Sequence, residues 1–221
     1  MPSLLPRAIP RRYADPVARL VARTGVTADM ITAGGLALNA GAGVALALGQ
    51  FGLGGGLVLA GGALDLLDGA VARATNKSSL FGSIFDSVAD RYGEAANLFG
   101  LLAYYVARGD KVEPVLLFAA MAGSIQTSYI RARVEVVGMD LKEGAFTRFE
   151  RVLLLAAALL LAGRPGWGWV LPAALWVLAI GTNITAAQRL YHAWLKTRGR
   201  LGAEVPPVSY THLTLPTILR V

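Results

Sequence analysis

The sequence predicts an all-α integral membrane protein with six transmembrane helices and an N-terminal interfacial amphipathic segment. Three observations predict it. Of 221 residues, 55% are hydrophobic and 16% charged, with a mean hydropathy of +0.53. That balance excludes a disordered chain and an ordinary soluble domain, where about one quarter of residues are charged. Second, six stretches approach the roughly 20 apolar residues that a spanning helix needs. Third, alternating crossings from a cytoplasmic N-terminus leave Arg108, Lys111 and Arg164 as the basic residues of the far side and Arg220 in the tail, with the other seventeen of 21 inside. This is the asymmetry of the positive-inside rule. The net charge of +7 is thereby assigned to a cytoplasmic rim, not to nucleic acid.

Taken in order, residues 1–26 form the interfacial segment. Leu5, Ile9, Tyr13, Val17, Leu20 and Val21 alternate with five arginines, a mixture suited to anionic headgroups, while Pro6, Pro10 and Pro16 restrict any helix to short pieces. The first long apolar stretch follows this Arg-rich segment, and no signal-peptide pattern is expected. The spans are placed at 28–49, 53–74, 80–107, 112–134, 149–163 and 168–194. Gly, Pro, Asn and charge between them mark the turns. Small residues from Gly52 to Gly62 suit close helix packing. The multi-pass domain is therefore 27–200. Beyond it the composition turns polar and β-branched, and Val208 to Leu213 resembles the translation of a transposon end used in library preparation. The tail 201–221 is set apart as non-native. The chain has no Cys, so disulfides, thiolate zinc sites and cysteine nucleophiles are excluded.

Four aspartates fall within the predicted spans, where each costs roughly 2.5 to 3.5 kcal/mol at a helix centre. Asp65 and Asp68 are three residues apart and Asp86 and Asp90 four apart, so each pair shares one helical face. The intervening turn makes the two helices antiparallel neighbours. At a rise of about 1.5 Å per residue, Asp68 and Asp86 lie about 10 Å from it, and Asp65 and Asp90 about 15 Å. Four converging carboxylates repel one another unless cations intervene. Oxygen donors without His or Cys favour Mg²⁺ or Mn²⁺. A proton relay or a helix-to-helix hydrogen-bond cluster is the alternative. Gly69, Ala72 and Gly82 leave the facing surfaces without bulk, and Arg73 is placed to pair with a phosphate.

The pattern Asp65-x2-Asp68-Gly69-x2-Ala72-Arg73-x8-Gly82-x3-Asp86-x3-Asp90 resembles, at every fixed position, the signature of the CDP-alcohol phosphatidyltransferase family. The resemblance spans 27–196. It implies a six-helix membrane enzyme, a homodimer, with two Mg²⁺ or Mn²⁺ ions per active site. Asp65, Asp68 and Asp86 would bind metal, and Asp90 would be the catalytic base, also beside the metal. Gly69, Ala72, Arg73 and Gly82 would lie against the nucleotide of CDP-diacylglycerol. Asp29 and Thr32, at the start of the first span, would join them. Asp29 stands where Asn is common, and a helix N-cap at Thr27 accounts for the same stretch equally well.

A second cluster comprises Ser128, Arg131, Arg133, Arg148, Arg151 and Arg189 on the cytoplasmic ends of the last three spans. Such a basic pocket suits an acceptor that already carries a phosphate. Within the family it resembles the phosphatidylinositol-phosphate synthase branch. That resemblance implies that Ser128, Arg131, Arg133, Arg151 and Arg189 hold the phosphate of inositol phosphate, with Arg131 where Lys also occurs. The expected reaction moves a phosphatidyl group from CDP-diacylglycerol to this phosphorylated polyol and releases CMP. Glycerol 3-phosphate is an alternative acceptor, and an ion-relaying transporter the alternative from another class. His192 is expected to be a surface residue. Membrane lipids are expected partners, and N-terminus and active site are expected on the cytoplasmic side of the cell membrane.

Overall fold

The computed structural model describes residues 20, 21, 23–75, 79–141, 144 and 146–198. The interfacial segment and the tail therefore lie outside the described residues, apart from a few positions just before the first helix. The described residues form six helices and no strand: α1 (Ala28–Ala47), α2 (Phe51–Thr75), α3 (Leu80–Arg108), α4 (Val112–Val136), α5 (Arg148–Ala162) and α6 (Val170–Arg198). Each coincides with a stretch expected from the sequence. Their ends have local causes. The Thr27 hydroxyl accepts from the Met30 amide and caps α1, and Ser79 accepts from Gly82 at 2.8 Å and caps α3. Gly109, with φ of +77°, terminates α3 in the left-handed conformation. A capping box between Thr147 and Glu150 starts α5.

Three helices, α1, α2 and α6, are long and apolar enough to cross a membrane by length and composition. The other three fall short for separate reasons. Asp86, Asp90, Arg91 and Glu94 interrupt α3, charges at both ends interrupt α4, and α5, at 15 residues, is about 22 Å long against a hydrocarbon core of about 30 Å. Trp169, in the turn just before α6, and Trp194, near its end, are 25 residues and so about 38 Å apart along the axis, a spacing that suits amphipathic rings at two bilayer interfaces.

Packing depends on small residues. Helix α1 lies against both α2 and α3, α2 against α5, and α4 against α6. A Cβ on Gly43 would come within 2.5 Å of the Ala96 carbonyl, and one on Gly123 within 2.8 Å of Thr182 Cβ. Only glycine lets these backbones approach so closely. The largest apolar core gathers Leu46, Leu101, Leu117, Leu159, Leu171 and Leu175, all buried. It occupies the end of the bundle where α1, α3 and α5 finish. The opposite end collects the starts of those helices and the finishes of α2, α4 and α6. That end carries the four aspartates, Arg148 and the charged finish of α4. Outward faces of α3 and α4 are apolar and exposed, among them Ile84, Val88, Tyr92 and Phe99 on one and Phe118, Ile125 and Tyr129 on the other.

Candidate metal and substrate site

The expected direct packing of α2 on α3 is not found among the described residues: both helices pack on α1 instead, and across that arrangement their aspartates still converge. One carboxylate oxygen each from Asp65, Asp68 and Asp86 lies within 4.8 Å of the others. Asp68 is buried, and the other two are half-buried. Thr32, one turn into α1, donates its hydroxyl to Asp68 Oδ2 at 2.7 Å and so fixes that carboxylate. Asp29, at the same end of α1, faces α3: a Cβ on Gly82 would stand 2.8 Å from Asp29 Oδ1. The absence of a side chain at Gly82 therefore makes room for Asp29. Arg73 folds back along its own helix, with Nη1 3.2 Å from where a Gly69 Cβ would lie. Ala72 is half-buried beside it.

Arg148, the first residue of α5, reaches into this cluster. Its Nη1 is 2.7 Å from Asp65 Oδ2 and 2.8 Å from Asp90 Oδ1. Arg148 thus pairs with two of the four carboxylates, and the negative charge left in surplus favours cations. The donors are all oxygen, three converge on one point, and the fourth lies alongside. This arrangement fits hard divalent ions such as Mg²⁺ or Mn²⁺.

The basic cluster is divided by the fold. Arg151 turns inward: its Nε is 2.8 Å from Glu94 Oε1, its Nη2 is 3.0 Å from Oε2 and 3.1 Å from Ser124 Oγ, and it is 5% exposed. Arg189 donates from Nη1 to the Thr127 carbonyl at 2.6 Å. Ser128 is half-buried on the next residue. Arg131 and Arg133 are exposed at the end of α4, Arg131 paired with Glu135 at 2.7 Å. His192 bonds to the Gln188 carbonyl, one turn back on α6. Two residues of consequence were not singled out from the sequence, Glu94 and Ser124. A signal for Glu94 existed, since Asp86, Asp90 and Glu94 continue one stripe at intervals of four. Ser124 likewise lies four residues before Ser128.

Comparison with known proteins identifies the family. The sequence matches the CDP-alcohol phosphatidyltransferase family over residues 25–184. A phosphatidylinositol phosphate synthase of Mycobacterium marinum is 36% identical over 195 residues, covering 86% of this chain and 83% of that protein. The crystal structure of Mycobacterium tuberculosis phosphatidylinositol phosphate synthase with CDP-DAG bound superposes with a TM-score of 0.76 at 29% identity, over 83% of this chain and 94% of that one. The same enzyme in complex with manganese and citrate gives 0.75 at 28%, over 82% and 88%. The family match over most of the chain and a relative at 36% identity across 86% of it lead to one assignment: the chain belongs to the CDP-alcohol phosphatidyltransferase family.

Proposed function

We propose that the chain transfers the phosphatidyl group of CDP-diacylglycerol to a hydroxyl of inositol phosphate and releases CMP. The observation that carries this reading is the convergence of Asp65, Asp68 and Asp86 within 4.8 Å on the two helices that bear the family motif. The relatives' names supply the acceptor.

In this reading Asp65, Asp68 and Asp86 hold two Mg²⁺ or Mn²⁺ ions, with Asp90 beside them. Bound there, the ions would neutralise the pyrophosphate and the charge that develops on it. Asp29, Thr32, Gly69, Ala72, Arg73 and Gly82 line the nucleotide side, where glycines admit the cytidine phosphate close to the backbone. Ser128, Arg131, Arg133 and Arg189 take the acceptor's phosphate, with Arg151 beneath them. Asp90 removes the proton from the attacking hydroxyl, and Arg148 orients that carboxylate. The acceptor oxygen forms a bond to the phosphorus that bears diacylglycerol. The bond from that phosphorus to the CMP oxygen breaks, and CMP leaves with the electron pair.

The proposal includes six crossings with this centre on the cytoplasmic side, a topology that the one-sided distribution of Lys and Arg supports. A homodimer is part of the proposal, for which the exposed apolar faces of α3 and α4 offer the surface. The test is CMP release from CDP-diacylglycerol with inositol phosphate, glycerol 3-phosphate, free inositol and serine, each with Mn²⁺ and with chelator. Release with inositol phosphate and Mn²⁺ is expected. Faster release with any other acceptor, or release that survives chelation, refutes the assignment.

A further inference from the structure

Deeper in the bundle than the aspartates lies a chain of polar residues to which the transfer reaction assigns no role. Asn39 of α1 donates from Nδ2 to the Gly35 carbonyl, one turn back, at 2.9 Å. That bond fixes which way its amide faces, so its Oδ1 is the acceptor left over. Asn97 of α3 donates to it from Nδ2 at 2.7 Å. The orientation of Asn97 follows in turn, and its own Oδ1 is directed away from Asn39. Asn97 is 4% exposed. On α5, Arg148 commits Nη1 to Asp65 and Asp90, and its Nε, which can only donate, is buried. Among the described residues, Asn97 Oδ1 and Arg148 Nε are the two buried side-chain nitrogen or oxygen atoms without a hydrogen bond.

One of these atoms is an acceptor and the other a donor, and both residues line the same interior cavity. Its volume open to the centre of a water molecule is about 20 Å³. A single water needs about 10 to 15 Å³ by that measure. Glu94 forms part of the same wall and offers the third partner that buried waters usually have. A buried donor on a charged group is costly to leave unmade, and the cavity is polar where it needs to be.

We propose that this cavity binds one water molecule, which accepts from Arg148 Nε and donates to Asn97 Oδ1, making Asn97 a positioning residue for the arginine that spans Asp65 and Asp90. The guanidinium is then held along two edges, by carboxylates at Nη1 and by the water at Nε. The Gly35 carbonyl, Asn39, Asn97 and the water form a relay that ties α1 and α3 to α5 below the metal ligands. This inference rests on the transferase reading only for its activity measurement.

The test is a double-mutant cycle read in kcat for CMP release, with a density map beside it. Asn97→Leu removes the acceptor, and Arg148→Lys keeps the charge but removes the Nε donor. Asn97→Leu should lower kcat about tenfold in the wild-type background and by less than about twofold in the Arg148→Lys background. An equal loss in both backgrounds, or none in the wild type, overturns the proposal, because Asn97 would then act through packing or not at all. A map of the wild-type protein at about 2 Å decides the case even if Asn97→Leu fails to fold. Ordered water within hydrogen-bond distance of both atoms supports the site, and a map without it overturns the site. A wild type that releases no CMP refutes the transferase reading, and the map still decides the water.

Discussion

Arg151 and Glu94 form a two-pronged ion pair in the interior of the bundle, at 2.8 and 3.0 Å, with Ser124 bonded to both. Helix α5 therefore delivers two arginines one turn apart to different tasks. Arg148 meets the aspartates of α2 and α3, while Arg151 locks α5 to α3 and α4.

The two arginines should separate on mutation. Arg151→Ala takes from buried Glu94 the cation bonded to it, and breaking such a pair costs about 3 to 5 kcal/mol. Its melting temperature in detergent should fall well below that of Arg148→Ala, whose aspartate partners are less buried. Arg148→Ala should instead lower kcat for CMP release by roughly 10-fold to 150-fold, the equivalent of about 1.5 to 3 kcal/mol for a charge-assisted bond. Equal melting temperatures for the two variants would contradict the division.

Much of this was legible in the sequence. Apolar runs and their turns located all six helices, because hydrophobic length and Gly or Pro punctuation are local signals. The aspartate spacings gave both pairs and their meeting, since helical periodicity alone puts Asp65 with Asp68 and Asp86 with Asp90. What the sequence could not separate were the arginines. Arg148 and Arg151 carry the same charge three residues apart, and only the tertiary placement of Glu94 and Ser124 draws one inward. Thr32 was singled out as part of the nucleotide side, but its bond to Asp68 joins residues 36 apart and has no local signature.

Replacing Asp65, Asp68 or Asp86 by Asn should abolish turnover and, separately, metal-linked stability. A ligand at one hundred times its dissociation constant stabilises a protein by about 2.7 kcal/mol. Melting curves with and without Mn²⁺ should show that increment for the wild type and lose it in each variant. A variant that keeps both the shift and the turnover would remove its aspartate from the metal site.

Thr32→Val should weaken the metal without touching a ligand. Its hydroxyl holds Asp68 Oδ2 at 2.7 Å, and loss of a hydrogen bond to a metal ligand typically lowers affinity about 10-fold to 100-fold. Thr32→Ser, which keeps the hydroxyl, should restore most of it. Titration of Mn²⁺ against the three proteins tests this, and equal affinities for Val and Ser would refute it.

The helix crossing that sets this geometry can be probed at Gly100. A Cβ there would run into the backbone of Gly43, closest to its carbonyl oxygen and with the carbonyl carbon at 2.7 Å and Cα at 2.8 Å. Backbone cannot swing aside as the end of a side chain can, so α1 and α3 must separate. Overpacking of this kind costs about 1 to 3 kcal/mol. Because α1 also carries Thr32, the displacement should loosen the Thr32 to Asp68 bond as well, so Gly100→Ala should lower both the melting temperature and the Mn²⁺ affinity. Gly56 in α2 serves as the control: a Cβ there meets nothing within 4 Å, and alanine favours the helix by about 0.5 to 1 kcal/mol. Gly56→Ala should therefore melt no lower than the wild type and bind Mn²⁺ equally well. If Gly100→Ala behaves like Gly56→Ala, the close approach of α1 and α3 is not what holds the metal end together.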